Sequence, residues 1–367
     1  MSGPDVHHDA SHGYQVAVSR VVQFDQLSMR ERDAWHLLRA ANPMLASPYF
    51  HPGFAAAVHA SGRDVWVAVG EDRSGAVAAL LPYHVVGSMI RPAGWPGADF
   101  QAPILAPGTR FAPLALLSGR ARAFGFDHLV EVCPDFEPWI ESRRPSPFVD
   151  VSGGLEGYLA RASRTGRENM GQARRRSGKA EREHGTLRFV LDSGDSALLD
   201  RVVQLKRNQY AATGARDYFA KPDRATLLHR LLRTRDSSFG GLLSTVHAGP
   251  NLIAAHFGLR AGSVLHWWFP VYDPAFAHLA PGWILLRELV QAAPGLGITR
   301  IELGRGDDEY KRRAKTGETL VAQGLVARSS IRRAMRRARL RAIAGAKSSP
   351  LVPGLRDMAR RARAQAR

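Results

Sequence analysis

Hydrophobic positions recur with two periods along this chain, and the period switches repeatedly. Tyr14–Phe24 alternates valine with polar residues, the pattern of a strand with one buried face. Arg30–Ala41 places Trp35, Leu38 and Ala41 at helical spacing. Asp64–Val69 and Ala76–Val86 are β-rich runs joined by EDRSG, a hairpin signal. Pro92–Gly108 is rich in Pro and Gly and predicts loop with short strands. Leu114–Phe124 predicts a helix and His128–Cys133 a strand. Pro134–Pro147 carries four prolines and no periodicity, which places a domain boundary near Phe148.

The rhythm then repeats. Leu155–Glu183 is a long, basic, helix-compatible stretch, and Leu187–Val190 a short strand. Ser196–Thr213 and Arg224–Thr234 carry leucine at helical spacing. Gly240–His247, Leu252–Leu259 and Val264–Pro270 predict three strands separated by the turn-rich HAGPN and RAGS. The helix Pro281–Ala292 and the strand Thr299–Leu303 follow. Antiparallel strands leading into a β–α–β crossover predict an α/β (α+β) protein with mixed sheets flanked by helices. The organisation expected is a flexible lead-in (1–13), two domains (14–147 and 148–327) and a basic helical tail (328–367).

Charge sharpens this division. The net charge is +18 over 367 residues. Residues 328–367 hold 13 Lys/Arg against one acid, and residues 161–188 hold 9 against 3. The rest is close to neutral, so basicity belongs to two segments and not to the folded body. In the tail, Ile331, Met335, Ala338 and Ala342 fall on one helical face. A solvated helix end, a contact with an anionic membrane surface and a nucleic-acid contact all fit that pattern. The lone Cys133 leaves no disulfide framework and fits a reducing compartment. Residues 1–20 lack the apolar run of a secretory leader, and the most apolar window, Ala76–Ile90, is shorter than the roughly 20 residues of a membrane span. A cytoplasmic protein is expected, with peripheral binding at the inner membrane surface through the tail as one option.

No metal is expected: the chain has no HExxH, no paired cysteines and no EF-hand loop. His7, His8 and His12 read as part of the mobile lead-in. A Walker loop and a GxGxxG fingerprint are also missing.

The chemistry concentrates between Leu265 and Lys311. Pro281 suits the first turn of a helix, where its missing N–H costs nothing. The neighbouring Gly282 permits close backbone approach. The helix start then offers free amides and a partial positive charge to a phosphorylated ligand. A proton transfer at a reacting centre there needs a base and an acid. Glu302, Asp273, Asp307 and His256 are the candidate bases, and Tyr310 the candidate acid. Lys311 is placed to bind an acidic acceptor or the donor's phosphates. His266 reads as half-buried, and of the adjacent Trp267 and Trp268 one reads as core and the other as cleft.

VYDP…PGWILL…GLGITRIELGRGDDEYKRR resembles the Gcn5-related N-acetyltransferase (GNAT) superfamily, and within it the FemAB-like subgroup of cellulose-biosynthesis-type (CelD/BcsL) acetyltransferases. The resemblance covers residues 150–325, and the first half only by element order. It implies tandem acyl-CoA N-acyltransferase-like domains. Pro281, Gly282 and Trp283 then fall at the coenzyme pyrophosphate, Tyr272 and Asp273 at the end of the strand along the acyl arm, and Tyr310-Lys311 on the family's Tyr-Lys. HLAPGW has a single glycine where the superfamily has a fuller glycine-rich loop. The implied activity is transfer from acetyl-CoA or another acyl-CoA to an amine or hydroxyl of a sugar or polysaccharide precursor. A FemX-like transferase using aminoacyl-tRNA, and a non-catalytic binding protein on the same fold, are the rival readings.

Overall fold

The computed structural model describes residues 15–234, 236–306, 308–336 and 338. The expected lead-in, Asp307 and most of the basic tail lie outside the described residues. The first half runs β1 (Gln15–Gln23), α1 (Met29–Ala41), α2 (Pro52–Ala60), β2 (Trp66–Glu71), β3 (Val77–Val86), β4 (Met89–Pro92), β5 (Ile104–Leu105), β6 (Arg110–Phe111), β7 (Ala123–Leu129) and β8 (Ile140–Asp150). The second runs α3 (Gly154–Arg161), α4 (Arg164–His184), β9 (Leu187–Val190), α5 (Ser196–Thr213), α6 (Pro222–Arg233), β10 (Phe239–Ala248), β11 (Asn251–Ala261), β12 (Val264–Tyr272), α7 (Pro281–Ala292), β13 (Arg300–Glu302), α8 (Glu309–Ala314) and β14 (Gly317–Ala327).

The strands form one mixed sheet in the order β6-β1-β2-β3-β4-β7-β14-β8-β13-β12-β11-β10-β9, with β5 paired to β3. The two halves repeat one plan. Each contains a strand and two helices (β1–α1–α2, and β9–α5–α6 after α3 and α4), then three antiparallel strands (β2–β3–β4 and β10–β11–β12). In each, the last of the three gains a parallel neighbour, β7 on β4 and β13 on β12. The closing strands are exchanged: β14 pairs with β7 and β8 pairs with β13, and the two pair with each other at the centre. The boundary expected at Phe148 therefore falls inside a shared strand.

β8 carries Pro145 and Pro147 in mid-sheet, where a missing N–H ordinarily breaks a ladder. The Leu303 N–H donates to the Pro147 carbonyl, so that edge of Pro147 faces β13. Two-residue alternation turns Pro145 the same way. β13 pairs only with Phe148–Asp150, so neither proline has a strand acceptor to disappoint. Two expectations need correction. The helix expected over Leu114–Phe124 is a single 3-10 turn (Pro113–Leu116), because Gly119 takes φ 56°, and β7 starts at Ala123. The long basic stretch is two helices: Ala162 is extended (ψ 151°), and Ser163 caps α4 by accepting from the Gly166 N–H.

α7 is the best-buried helix of the second half. Ile284, Leu285, Leu286, Leu289 and Val290 are fully enclosed between α4 and the sheet, each worth roughly 1.5–3 kcal/mol of transfer free energy. Among the described residues the first half has no counterpart to α7: from β4 to β7 the chain is loop with two short strands and one 3-10 turn. That loop instead reaches across to the second half, and the two halves share one core in which Phe54 and Val58 meet Leu227, Phe239 and Phe269.

Candidate active site

β12 and β13 diverge. Their parallel register runs Val264↔Arg300, Leu265↔Ile301 and His266↔Glu302 and then stops. β12 continues to Tyr272, still paired with β11 on its other side. The edge of β12 beyond His266 that faced β13 is thus left without a strand partner. A cleft of about 420 Å³ occupies the gap. Trp267, Trp268 and Tyr272 wall it on β12, Gly282 on α7, Leu303 beyond β13, Tyr310 and Lys311 on α8, and Lys206 on α5. Asp99 comes from the crossover loop of the first half.

The chain enters α7 through a strained residue. Ala280 is left-handed (φ 46°, ψ 56°), the sole non-glycine residue with positive φ among those described. Such a conformation costs on the order of 1 kcal/mol and marks a place where geometry is imposed. Ala280 supplies no side-chain cap. Pro281 has no N–H, and the Trp283 N–H donates to the Ala280 carbonyl at 3.0 Å. Of the first three α7 residues, Gly282 is left with an amide that has no intrahelical acceptor, and Gly282 is the one on the cleft. A Cβ built on it meets nothing within 4 Å, so there is room for a ligand.

On the same cleft, Asp99 sits in a cage of imidazoles. Its Oδ2 accepts from His266 Nε2 at 2.9 Å, and its Oδ1 lies 3.4 Å from His128 Nε2. Burial pushes the Asp99 carboxyl up, but the His266 hydrogen bond and the charges of His128, His266 and Lys311 outweigh it and hold the group at about 2. His266 is fully buried and packed edge-on by Tyr49 and Phe100. Gly304 (φ 73°) explains the tight approach of the loop after β13: a Cβ there would stand 2.5 Å from Asp99 Oδ2.

Lys311 Nζ donates to the carbonyls of Gly304 (3.2 Å) and Arg305 (3.1 Å), pinning that loop, while its stem lines the cleft. Lys206 Nζ donates to the Pro270 carbonyl at 3.2 Å. Burial and the nearby Lys311 charge bring Lys206 down to about 8, against the pull of Asp308. Tyr310 packs its ring against Trp283 (5.1 Å, 63°), and its buried hydroxyl has no hydrogen-bond partner among the described residues. Burial, with Tyr158 nearby, raises its phenol far above the usual range, so it remains a proton donor.

Residues 166–312 match the family model of the acetyltransferase (GNAT) domain. This segment carries a GNAT-fold domain. The cleft lies within it, apart from Asp99. FemX is similar in fold, with a TM-score of 0.55 at 11% identity over 83% of this chain and 96% of that one. So is the C-terminal domain (DUF2156) of a protein described as a lysylphosphatidylglycerol synthetase from Agrobacterium fabrum, with a TM-score of 0.50 at 12% identity over 83% and 93%. No curated protein sequence matches the chain.

The GNAT-domain cleft gathers Tyr272, Gly282, Tyr310 and Lys311 from the residues the sequence singled out. Pro281 is buried at the helix start, and Trp283 is a core residue that holds Tyr310 rather than a wall of the cleft. Of the candidate bases, Asp307 lies outside the described residues, and Asp273, His256 and Glu302 do not line the cleft. Asp273 caps the following 3-10 turn by accepting from the Ala275 N–H and pairs with Arg201 at 3.5 Å. His256 is fully buried, stacked on Trp267 at 4.0 Å, and burial lowers it to about 3. Glu302 faces a separate cavity of about 300 Å³, bonded to Arg300 at 2.6 Å. Alternation along β13 accounts for this, since Ile301 and Leu303 face the α7 side. Asp99 and Lys206 were not legible as site residues. Asp99 sits in a Pro/Gly-rich loop 167 residues from His266, and Lys206 in a helix whose pattern speaks only of packing.

Proposed function

We propose that this protein is an acyltransferase that moves an acyl group from acyl-CoA to an amine, with the donor entering at Gly282 and the acceptor held at Asp99. The observation carrying this reading is that a free helix-start amide, an unpaired strand edge and an orphan phenol meet on one cleft. The Gly282 amide and the helix dipole receive the donor's pyrophosphate. Backbone N–H groups on the open edge of β12 polarise the thioester carbonyl, where negative charge develops during attack. The Asp99 carboxylate, ionised throughout the ordinary pH range, orients the acceptor's ammonium. Lys206, partly neutral near pH 8, takes its proton. The nitrogen then forms the C–N bond, the C–S bond breaks, Tyr310 protonates the departing thiolate, and its phenolate regains a proton from the now positively charged nitrogen, which leaves a neutral amide. The acceptor class follows the resemblance to the cellulose-biosynthesis-type subgroup: an amino sugar or an amine-bearing polysaccharide precursor.

A second reading has a specific observation behind it. One free amide is a thin cradle for a pyrophosphate, which favours a donor gripped elsewhere, as in FemX-like transfer from aminoacyl-tRNA. The exposed Arg174, Arg175, Lys179 and Arg182 of α4 suit a phosphate backbone. The two donors separate in one assay. Radiolabelled acetyl-CoA and aminoacyl-tRNA are each offered with glucosamine as acceptor. Label transferred from acetyl-CoA alone supports the proposal, and transfer from aminoacyl-tRNA alone replaces it with the second reading. No transfer from either, together with no donor binding, leaves the fold without the chemistry.

A further inference from the structure

α4 ends at His184, and the chain leaves it through Gly185 at φ 97°. Far along the sequence, the 3-10 turn Pro274–Leu279 connects β12 to α7 and lies against this end of α4. The two are held together by the His184 ring, set edge-on to Phe276 at 5.0 Å. The packing brings three ligand-type side chains together: Glu183 and His184 from α4 and His278 from the turn, their candidate ligand atoms all within 4.8 Å of one another.

We propose that Glu183, His184 and His278 form a binding site for a divalent transition-metal ion of the zinc type. Glu183 Oε2 stands 3.9 Å from His184 Nε2 and 3.6 Å from His278 Nε2. Both separations are too long for hydrogen bonds. They are close to what a metal requires, because bonds of about 2.0–2.1 Å at tetrahedral angles set ligand atoms roughly 3.4 Å apart. His184 Nε2 is buried and has no hydrogen-bond partner among the described residues, so a polar atom is held dry within reach of the other two ligand atoms. The other Glu183 oxygen, Oε1, faces Lys179 Nζ at 3.6 Å, which leaves Oε2 to act as a single-atom ligand. Two imidazoles and one carboxylate suit zinc and its neighbours rather than magnesium or calcium, which take oxygen ligands. Three protein ligands leave the fourth position to solvent, which reaches the half-exposed His278.

The ion ties the turn before Ala280 to the end of α4. That turn feeds directly into the strained residue and Pro281, so an occupied site braces the entry of α7. This bracing bears on donor affinity only through the reading of the cleft given above. Metal binding itself does not depend on that reading.

The test is a calorimetric zinc titration of the full chain with His7, His8 and His12 replaced by alanine, which removes the amino-terminal histidines as competitors. Cobalt(II) absorption serves as a second readout of coordination geometry. One ion binding with micromolar affinity and tetrahedral cobalt bands is the expected result. His278→Ala and Glu183→Gln, both at part-exposed side chains, weaken it by roughly tenfold or more with the apo melting temperature unchanged. Absent binding, or affinity equal in the parent and in both variants, overturns the site.

Discussion

Asp99→Asn probes the join between the two halves and the acceptor site together. Asparagine keeps the shape and removes the charge that His266 and His128 face at 2.9 and 3.4 Å. The carboxyl is held at about 2 in the fold against 3.8 in the unfolded chain, and its side chain is 29% exposed. The folded state therefore binds fewer protons than the unfolded state between those two values. The resulting stability is complete above about pH 4 and is lost as acid titrates the group through about 2. At neutral pH it amounts to on the order of 2 kcal/mol, and its loss lowers the melting temperature by about 3 °C in a chain of this length. The second readout is kinetic. A charge-assisted hydrogen bond to the acceptor's ammonium is worth about 1.5–3 kcal/mol, so kcat/KM for the amine falls roughly 10–100-fold. Donor affinity stays within about twofold, because the donor's phosphates are assigned to Gly282 and not to Asp99. Scanning calorimetry at pH 7 and pH 3 with steady-state kinetics reads both effects. A variant as stable as the parent at pH 7 refutes the ion cage, and an unchanged acceptor kcat/KM refutes the acceptor assignment.

Tyr310→Phe keeps the ring contact with Trp283 and removes the hydroxyl that has no partner among the described residues. kcat falls about 10²-fold with acceptor KM little changed, while stability holds or rises slightly, since a buried unsatisfied group is gone; a kcat within twofold of the parent contradicts the acid role. For Lys206, held at about 8 by burial and by Lys311, kcat/KM rises with pH through about 8 as the amine loses its proton. Lys206→Met removes that limb of the profile, and a profile unaltered in the variant assigns the proton to another group.

Much of the second half could be read from residue pattern alone. Pro281–Ala292 and Ser196–Thr213 have the limits expected of them, because each begins at a strong start signal, a proline at the first turn or the Asp195 cap. The three strands before α7 each run one to two residues beyond their expected limits at one end or both, since sheet pairing extends past the turn residues that mark them. What escaped was long-range. β8 was hidden by prolines that a central strand tolerates only because β13 is short. β14 closes the other half's sheet, a pairing no local pattern announces. The bases chosen from sequence failed to meet for the same reason. His256, Asp273 and Glu302 cluster along the chain, but strand alternation and a capping role turn them to different places. Of the two carboxylates that do line the cleft, Asp99 belongs to the half with the weaker resemblance, and Asp308 precedes α8.

The claim on which the account rests is that the amide of Gly282 receives a phosphorylated thioester donor. Calorimetric titration of acetyl-CoA into the parent and into Gly282→Glu measures it directly. The substituted side chain enters open space, so the fold is retained, while its bulk and negative charge occupy the place of the pyrophosphate. The account predicts saturable binding to the parent and a loss of at least about 100-fold in the variant. Equal affinity in the two proteins contradicts it.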